Sequence, residues 1–478
     1  MIGSAHRKRS PVDRSHSRVY YYQSLDAGFV LLESALCSYL KMHHECVIIA
    51  DAPAALVELC GISVIERLLR TLQCCQLTRA IILTSTPEIL EKHLSSPSPF
   101  RTGLSVNIRG RPVGPVTLKQ IVDAWPDGAL ELLVLPGDAV FDSRLPRLVD
   151  DQNSPVALVD SGVSPLLQPL IASAPSTNWG KLCGPALIQR DWAVGQDLTL
   201  MEALGKGLDE KTITPLDVAT QDLYSTTMRR ELQAYWFPAP SITHIERAER
   251  VILDSAQKGT LDFPAMVHGP IETFIVARLC KSSITPNQLT ILGNIVAWTA
   301  TVLFVTGQLV WGTALALIVG VLDGLDGKQA RVKVETSKAG KLEHWFDTLF
   351  EISWWTALAY YLQSTGQLAG AYSYLLLLLF AEALDLIAKG SILFRYGRLI
   401  DELGPFDRFI RLIGGRRNIY VWILAVGVLL RNPAEAFVVI AWWESITAAI
   451  HLPRAAWALW VKRYQFPGKE TFRSGSRD

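Results

Sequence analysis

The chain carries almost no excess charge: 46 Lys and Arg stand against 45 Asp and Glu, a formal net charge of +1. A nucleic-acid-binding surface needs a basic excess, so nucleic acid is not expected as the main partner. A cysteine framework is missing too. The seven cysteines (Cys37, Cys46, Cys60, Cys74, Cys75, Cys183 and Cys280) form no CxxC pair and show no metal-ligand spacing. An odd, unpatterned set predicts reduced, mostly buried thiols facing a cytoplasm, with the adjacent Cys74 and Cys75 simply packing. The basic stretch His6-Arg-Lys-Arg-Ser10 is followed by no apolar run, so no cleaved signal is expected. No internal repeat or low-complexity tract stands out. Without an inverted repeat or paired broken helices, a transporter is disfavoured.

What is present is unevenly spread. At 478 residues the chain is too long for one ordinary domain. Its long apolar runs fall in the second half. Residues 1–20 read as a flexible basic leader and 466–478 as a flexible tail. Between 21 and 240 the pattern is α/β: strand-like runs Cys46–Ala50, Ala80–Thr84 and Leu132–Leu135, with a helix-like stretch from Ser63 to Cys75. Strands alternating with helices predict a parallel, Rossmann-like sheet. Pro238-Ala-Pro240 closes that region, and an amphipathic, charge-rich connector (241–285) follows. Pro286 then opens a helix, because proline suits the first turn and holds the residue before it extended.

Stretches near 289–307, 309–327, 345–364, 369–392, 418–431 and 434–460 predict an all-α bundle of six transmembrane helices, each needing about twenty residues. The fifth is short, and Pro453 is a candidate break in the sixth. Lys and Arg crowd the loops after the second, fourth and sixth stretches and are absent after the first and third. The positive-inside rule puts those crowded loops and both termini in the cytoplasm. Trp354-Trp355 and Trp442-Trp443 are read as lipid-facing or interfacial aromatics. Glu382 and Asp385 are read as an interior acid pair, either paired structurally, since Lys389 one turn on can neutralise Asp385, or in contact with substrate.

Four carboxylates stand in this apolar half: Asp323, Asp326, Asp347 and Glu351. Acids at membrane depth are expensive and normally serve a site. Spacings of three and four put each pair on one helix face, and two such faces meeting would make an oxygen-rich cage for Mg²⁺ or Mn²⁺. The order Asp323-x2-Asp326-Gly327-x2-Ala330-Arg331-x8-Gly340 resembles the first part of the CDP-alcohol phosphatidyltransferase signature. Counting on from Gly340, the family's last two acids would fall on His344 and Thr348. A loop three residues longer aligns Asp347 and Glu351 instead, and moves Glu343 to the glycine's place.

This resemblance implies a phosphatidyl-type transfer from a CDP-alcohol to a hydroxyl acceptor, with CMP released, in phospholipid biosynthesis. It implies Asp323, Asp326, Asp347 and Glu351 as metal ligands, with Asp347 and Glu351 as the catalytic pair and His344 as an alternative third ligand. Gly327 and Ala330 would admit the nucleotide, and Arg331 would supply positive charge. Asn287 and Thr290 resemble the Pro-Asn-x-x-Thr start of the family's first helix, near the cytidine pocket. Arg416 and Arg417 are read either as a grip on an anionic headgroup or phosphorylated acceptor, or as a topology signal against membrane lipid. Family members often dimerise through their membrane helices, so a homodimer is one expected assembly. The expected location is a bacterial or archaeal cell membrane, multi-pass, with the site facing the cytoplasm.

The front half is similar to sugar-nucleotide-type nucleotidyltransferases in three ordered places: Val47–Arg70, Leu133–Asp138 and Tyr235–Glu249. The fusion resembles bifunctional inositol-phosphate cytidylyltransferase/di-inositol-phosphate-phosphate synthases. The Gly-x-Gly-x-Arg loop expected there is replaced by Asp51-Ala-Pro53-Ala-Ala-Leu-Val, which cannot offer the same nest of amides to a triphosphate. Pro238-Ala239-Pro240 also replaces an expected acidic pair, so nucleotidyl transfer is expected to be lost. Two other readings are a fully bifunctional CTP-dependent enzyme and a membrane pseudoenzyme that binds CDP-lipids without turnover.

Overall fold

Strand β1 (Glu45–Ile49) lies in the middle of the front sheet, and its side chains divide between two cores. Cys46 and Ile48 enter one and Val47 the other, as the two-residue period of a strand covered on both faces requires. The computed structural model describes residues 45–461 except 96, 97, 99, 100, 127, 154, 226, 227, 260, 261 and 336–339, and only the backbone of 340–345. The leader, the tail and Cys37 lie outside the described residues.

The other sheet strands are β2 (Arg79–Thr84), β3 (Ser105–Gly110), β4 (Glu131–Pro136), β6 (Val156–Asp160), β7 (Gly180–Gln189) and β8 (Thr214–Asp217). Their order is β8-β6-β7-β4-β1-β2-β3, and an eighth, two-residue strand (Ser176–Thr177) pairs antiparallel with β7 off this path. Every pairing is parallel except those of β7, which runs antiparallel to both neighbours. The sheet is therefore mixed rather than wholly parallel. A small ribbon pairs β5 (Ala139–Phe141) with β9 (Trp236–Pro238). Helix α1 (Val64–Cys74) starts one residue later than the sequence suggests, because Ser63 is its cap and accepts the Glu66 N–H.

The connector forms two helices, α2 (Ile245–Ser255) and α3 (Phe263–Leu279). Six longer or bundled helices follow: α4 (Pro286–Val305), α5 (Leu309–Lys333), α6 (Gly340–Ser364), α7 (Ala371–Tyr396), α9 (Arg417–Leu429) and α10 (Pro433–Trp460). A short α8 (Pro405–Ile413) precedes α9. Thr285 and Gln288 close a capping box over α4, with Pro286 at its first turn.

All six expected stretches fall on helices, of which three to four are clear spans by length and apolar composition. Among the described residues, α4, α5 and α10 are long and apolar enough to cross a membrane, and the bent pair α8–α9 makes a fourth if counted as one span. Helix α9 alone has 13 residues, roughly 20 Å of rise against a hydrocarbon core of about 30 Å. Charged residues interrupt α6 (Lys341, Glu343, Asp347, Glu351) and α7 (Glu382, Asp385, Lys389, Arg395). Helix α10 runs through Pro453 without a break. Trp354 and Trp355 are not lipid-facing: both are 1% exposed in the bundle core, and Trp354 donates its indole N–H to the Ala297 carbonyl. Trp442 and Trp443 do stand on the outside.

Front sheet and bundle share one apolar core. It runs from Leu68 and Leu72 through Val251 and Val276 to Leu325 and Val332. Two buried arginines of α1 bind the end of α5 across this junction. Arg67 donates to the Val332 carbonyl (2.6 Å) and Arg70 to the Lys333 carbonyl (3.0 Å), where a helix leaves its last carbonyls unpaired.

Candidate active site

The acidic cleft lies between α4, α5 and α6. Asp323, Asp326 and Asp347 line it together with Thr290, Asn294 and Phe350. Asp323 and Asp326 share one face of α5, as their spacing requires. Thr290 Oγ1 donates to Asp326 at 2.6 Å, and the Gly327 N–H donates to the same carboxylate at 2.5 Å. Arg417 reaches in from the start of α9. Its Nη2 donates to Asp323 at 2.7 Å and its Nη1 lies 3.8 Å from Asp347, while the guanidinium sits 5.0 Å from the Phe350 ring centre. One cation thus stands among three acids, leaving a deficit of about two charges for whatever else occupies the cleft.

The donor set is what a hard divalent cation asks for: carboxylate oxygens with a hydroxyl beside them. The ligands do not yet close on one point, however. Among the described residues no three His, Cys, Asp or Glu side chains come close enough to hold a metal ion. Asp326 is turned to Thr290 and Gly327, and Asp323 to Arg417, so closing a cage means exchanging those partners.

Other sequence candidates lie elsewhere. Glu351, one turn past Asp347, is half-buried and outside the cleft lining. Asn287 is exposed on the first turn of α4. Arg416 caps α9 without lining the cleft. Ala330 and Arg331 face a second cavity, where Arg331 Nε donates to the Ala256 carbonyl at 2.8 Å. The side chain of His344 lies outside the described residues.

Two polar residues escaped the sequence reading. Asn294, one turn after Thr290, donates to the Thr290 carbonyl, while its buried Oδ1 has no partner among the described residues. Spacing from Thr290 could have found it. Glu272 of α3 sets its carboxylate so close to Gly324 that a Cβ there would collide with it. Burial pushes the Glu272 pKa up, against the pull of Lys328 and Arg331. No local pattern announces that contact. Deeper in the bundle, Asp385 bonds His451 at 2.5 Å and also pairs with Lys389, and Tyr420 donates to Glu444 at 2.5 Å.

In the front half, the loop after β1 is filled by its own side chains. Asp51 accepts from the Ser85 N–H (2.6 Å) and hydroxyl (2.7 Å) and pairs with Arg111. Asp138 stands at the β4–β5 turn, and Ala239 donates its N–H to the Asp138 carbonyl at 2.6 Å. The Pro238-Ala239-Pro240 segment therefore lies directly beside Asp138, contributing no carboxylate. Burial pushes the Asp138 pKa above the usual carboxylate range, with nearby Asp51 adding to it.

Residues 283–450, which include the cleft, match the CDP-alcohol phosphatidyltransferase family model. That family is membrane-integral and generally dependent on divalent metal.

The chain is also similar to two curated proteins, each named bifunctional IPC transferase and DIPP synthase. That of Rubrobacter xylanophilus is 28% identical over 212 residues, 42% of this chain and 44% of the relative. That of Aquifex aeolicus is 24% identical over 257 residues, 51% of this chain and 56% of the relative. The chain thus spans about half the length of the curated relatives it matches. Solved structures matched include the inositol-1-phosphate CTP transferase from T. maritima, at 11% identity and TM-score 0.33, covering 45% of this chain and 98% of that one. HddC from Yersinia pseudotuberculosis matches at 11% identity and TM-score 0.32, covering 44% and 99%.

Proposed function

We propose that the bundle transfers a phospho-alcohol group from a CDP-alcohol to a hydroxyl acceptor and releases CMP. The observation that carries this reading is the gathering of Asp323, Asp326 and Asp347 in one cleft, with Arg417 offsetting part of their charge. The acceptor oxygen attacks the phosphorus bearing the alcohol group, the bond from that phosphorus to the CMP oxygen breaks, and CMP departs with the electron pair. Asp347 or Glu351 takes the acceptor's proton. Asp323, Asp326 and Asp347, with Glu351 moving in, would hold Mg²⁺ or Mn²⁺, which supplies charge neutralisation at the diphosphate. Thr290 orients Asp326, and Asn294 Oδ1 is free to accept a hydrogen bond from the donor's base. Gly327 leaves room for close approach of the nucleotide.

The front half is read as a nucleotidyltransferase-like module without nucleotidyl transfer, because Asp51 is consumed by Ser85 and Arg111 and the Pro238-Ala239-Pro240 segment brings no second acid to Asp138. The cytoplasmic orientation follows from the Lys- and Arg-rich loops, and a homodimer in a bacterial or archaeal cell membrane is the expected state. A second reading, a CDP-lipid-binding pseudoenzyme, draws on Glu351 lying outside the cleft lining.

The test is CMP release by the full chain in detergent with Mg²⁺ or Mn²⁺, across a panel of CDP-alcohols and acceptors including polyol phosphates and diacylglycerol. Release that needs both metal and acceptor supports transfer and names the alcohols. Silence across the panel, with CDP-lipid binding intact, favours the pseudoenzyme.

A further inference from the structure

A cavity larger than the acidic cleft opens where the front sheet meets the ends of α5 and α7, with an empty volume of about 1710 Å³ including its mouth. Among the described residues six cations line it: Arg67, Arg144, Arg229, Lys258, Arg331 and Arg398. Only three acids do, and each is already engaged. Asp142 pairs with Arg144 at 2.8 Å, Glu402 faces Arg398 at 3.8 Å, and Glu335 pairs at 3.3 Å with Arg70, which lies outside the lining.

Three guanidiniums are therefore left with no carboxylate of the described residues in ion-pair range. Arg67 bonds the carbonyls of Val332 and Leu59, and Arg331 bonds that of Ala256, with Glu272 and Asp326 attracting Arg331 only from beyond ion-pair distance. Arg229 has a buried Nη1 with no hydrogen-bond partner among the described residues. Its backbone is also left-handed, with φ at 52°. That conformation costs an L-residue about 1–2 kcal/mol and, at an observed outlier, points toward function. A buried guanidinium N–H without an acceptor is costly, and a bound anion would supply that acceptor.

We propose that this cavity binds a soluble phosphorylated small molecule, its phosphate held by Arg229 and Arg331 between the front domain and the bundle. Planar guanidinium forks match phosphate oxygens better than any other side chain. The apolar side chains of Phe141, Met228 and Leu232 on the front wall leave room for an organic moiety beside the phosphate. Arg331 lies five residues beyond Asp326 on α5, roughly 7.5 Å of helix rise. Occupancy would therefore brace the end of the helix that carries the acidic pair. The site requires both halves of the chain and stands independently of the transfer reaction.

The experiment is equilibrium binding to the full chain in detergent with EDTA present, so that metal cannot recruit anions to the acidic cleft. The probes are inorganic pyrophosphate, glycerol 3-phosphate and CMP. Nanodiscs containing phosphatidylglycerol serve as a competition arm for a lipid headgroup. Saturable binding of at least one probe is expected. It should weaken tenfold or more in Arg229→Gln, weaken by less in Arg229→Lys, which keeps the charge but not the fork, and stay within threefold in Asp323→Asn. Lack of binding by all three probes overturns the proposal, as does binding indifferent to Arg229→Gln. Binding lost in Asp323→Asn instead would move the anion to the acidic cleft, and displacement by the lipid nanodiscs would make the ligand a headgroup; either result overturns it.

Discussion

Replacing Arg417 by Gln removes the cation that stands among the acids of the cleft. Its guanidinium donates to Asp323 at 2.7 Å and lies 3.8 Å from Asp347. The two partners of the closer pair are 13% and 33% exposed, so the pair is neither fully buried nor on the surface. Breaking a buried pair costs about 3–5 kcal/mol, and an exposed one about 0–1 kcal/mol. An intermediate cost of about 2 kcal/mol is expected for the metal-free protein. At roughly 2–4 °C per kcal/mol, melting in EDTA should fall by about 4–8 °C. Mg²⁺ is the discriminating arm. With the guanidinium gone, three carboxylates face the cleft without that counter-charge, and a divalent ion should bind more tightly. Each tenfold gain in affinity adds about 1.4 kcal/mol of stabilisation at a fixed saturating concentration. Thermal melts of wild type and Arg417→Gln, with and without Mg²⁺, read both effects. An unchanged melt in EDTA, or a Mg²⁺ shift no larger in the variant, would refute the view that Arg417 balances the acids.

Three further outcomes follow from the geometry. Asp138→Asn should raise thermal stability at neutral pH, because burial disfavours the ionised carboxylate there. Native Asp138 holds its proton more tightly than the unfolded chain does. The gain should therefore shrink as pH falls through its elevated folded pKa, and a loss of Mg²⁺-dependent stabilisation instead would mean that Asp138 holds metal. Arg67→Ala removes two charge-assisted bonds, to Val332 and Leu59, worth about 1.5–3 kcal/mol each. Faster hydrogen exchange at the end of α5 is the expected sign, and unchanged exchange there would argue against the arginine clamp. Tyr420→Phe strips the buried Glu444 of its 2.5 Å donor, and a loss of about 1–3 kcal/mol should appear in chemical unfolding.

Much of this architecture is readable along the chain because it rests on local chemistry. β1 is apolar from Cys46 to Ile49, and Thr285-Pro286 with Gln288 spells out a helix start. Asp323 and Asp326 share a face because any helix puts them there. The rest depends on contacts distant in sequence. Arg417 meets Asp323 across 94 residues, and nothing in its neighbourhood distinguishes it from Arg416. Arg331 has the expected spacing from Asp326, yet helix rotation turns it to the other cavity. Trp354 and Trp355 look interfacial by type, but both pack inward, against Phe350 and Tyr420 respectively. Only three to four of the six expected spans are clear by length and apolarity, because acids such as Asp347 on α6 and Asp385 on α7 face the cleft and the bundle core.

The most direct measurement is CMP release by the purified full chain, compared with Asp323→Asn at matched folding and saturating Mg²⁺. A transfer site built on this cleft predicts metal-dependent release in the wild type and a loss of roughly a hundredfold or more in the variant, the scale of removing one charge-stabilising group, with unchanged secondary structure. Equal release by both proteins would contradict it.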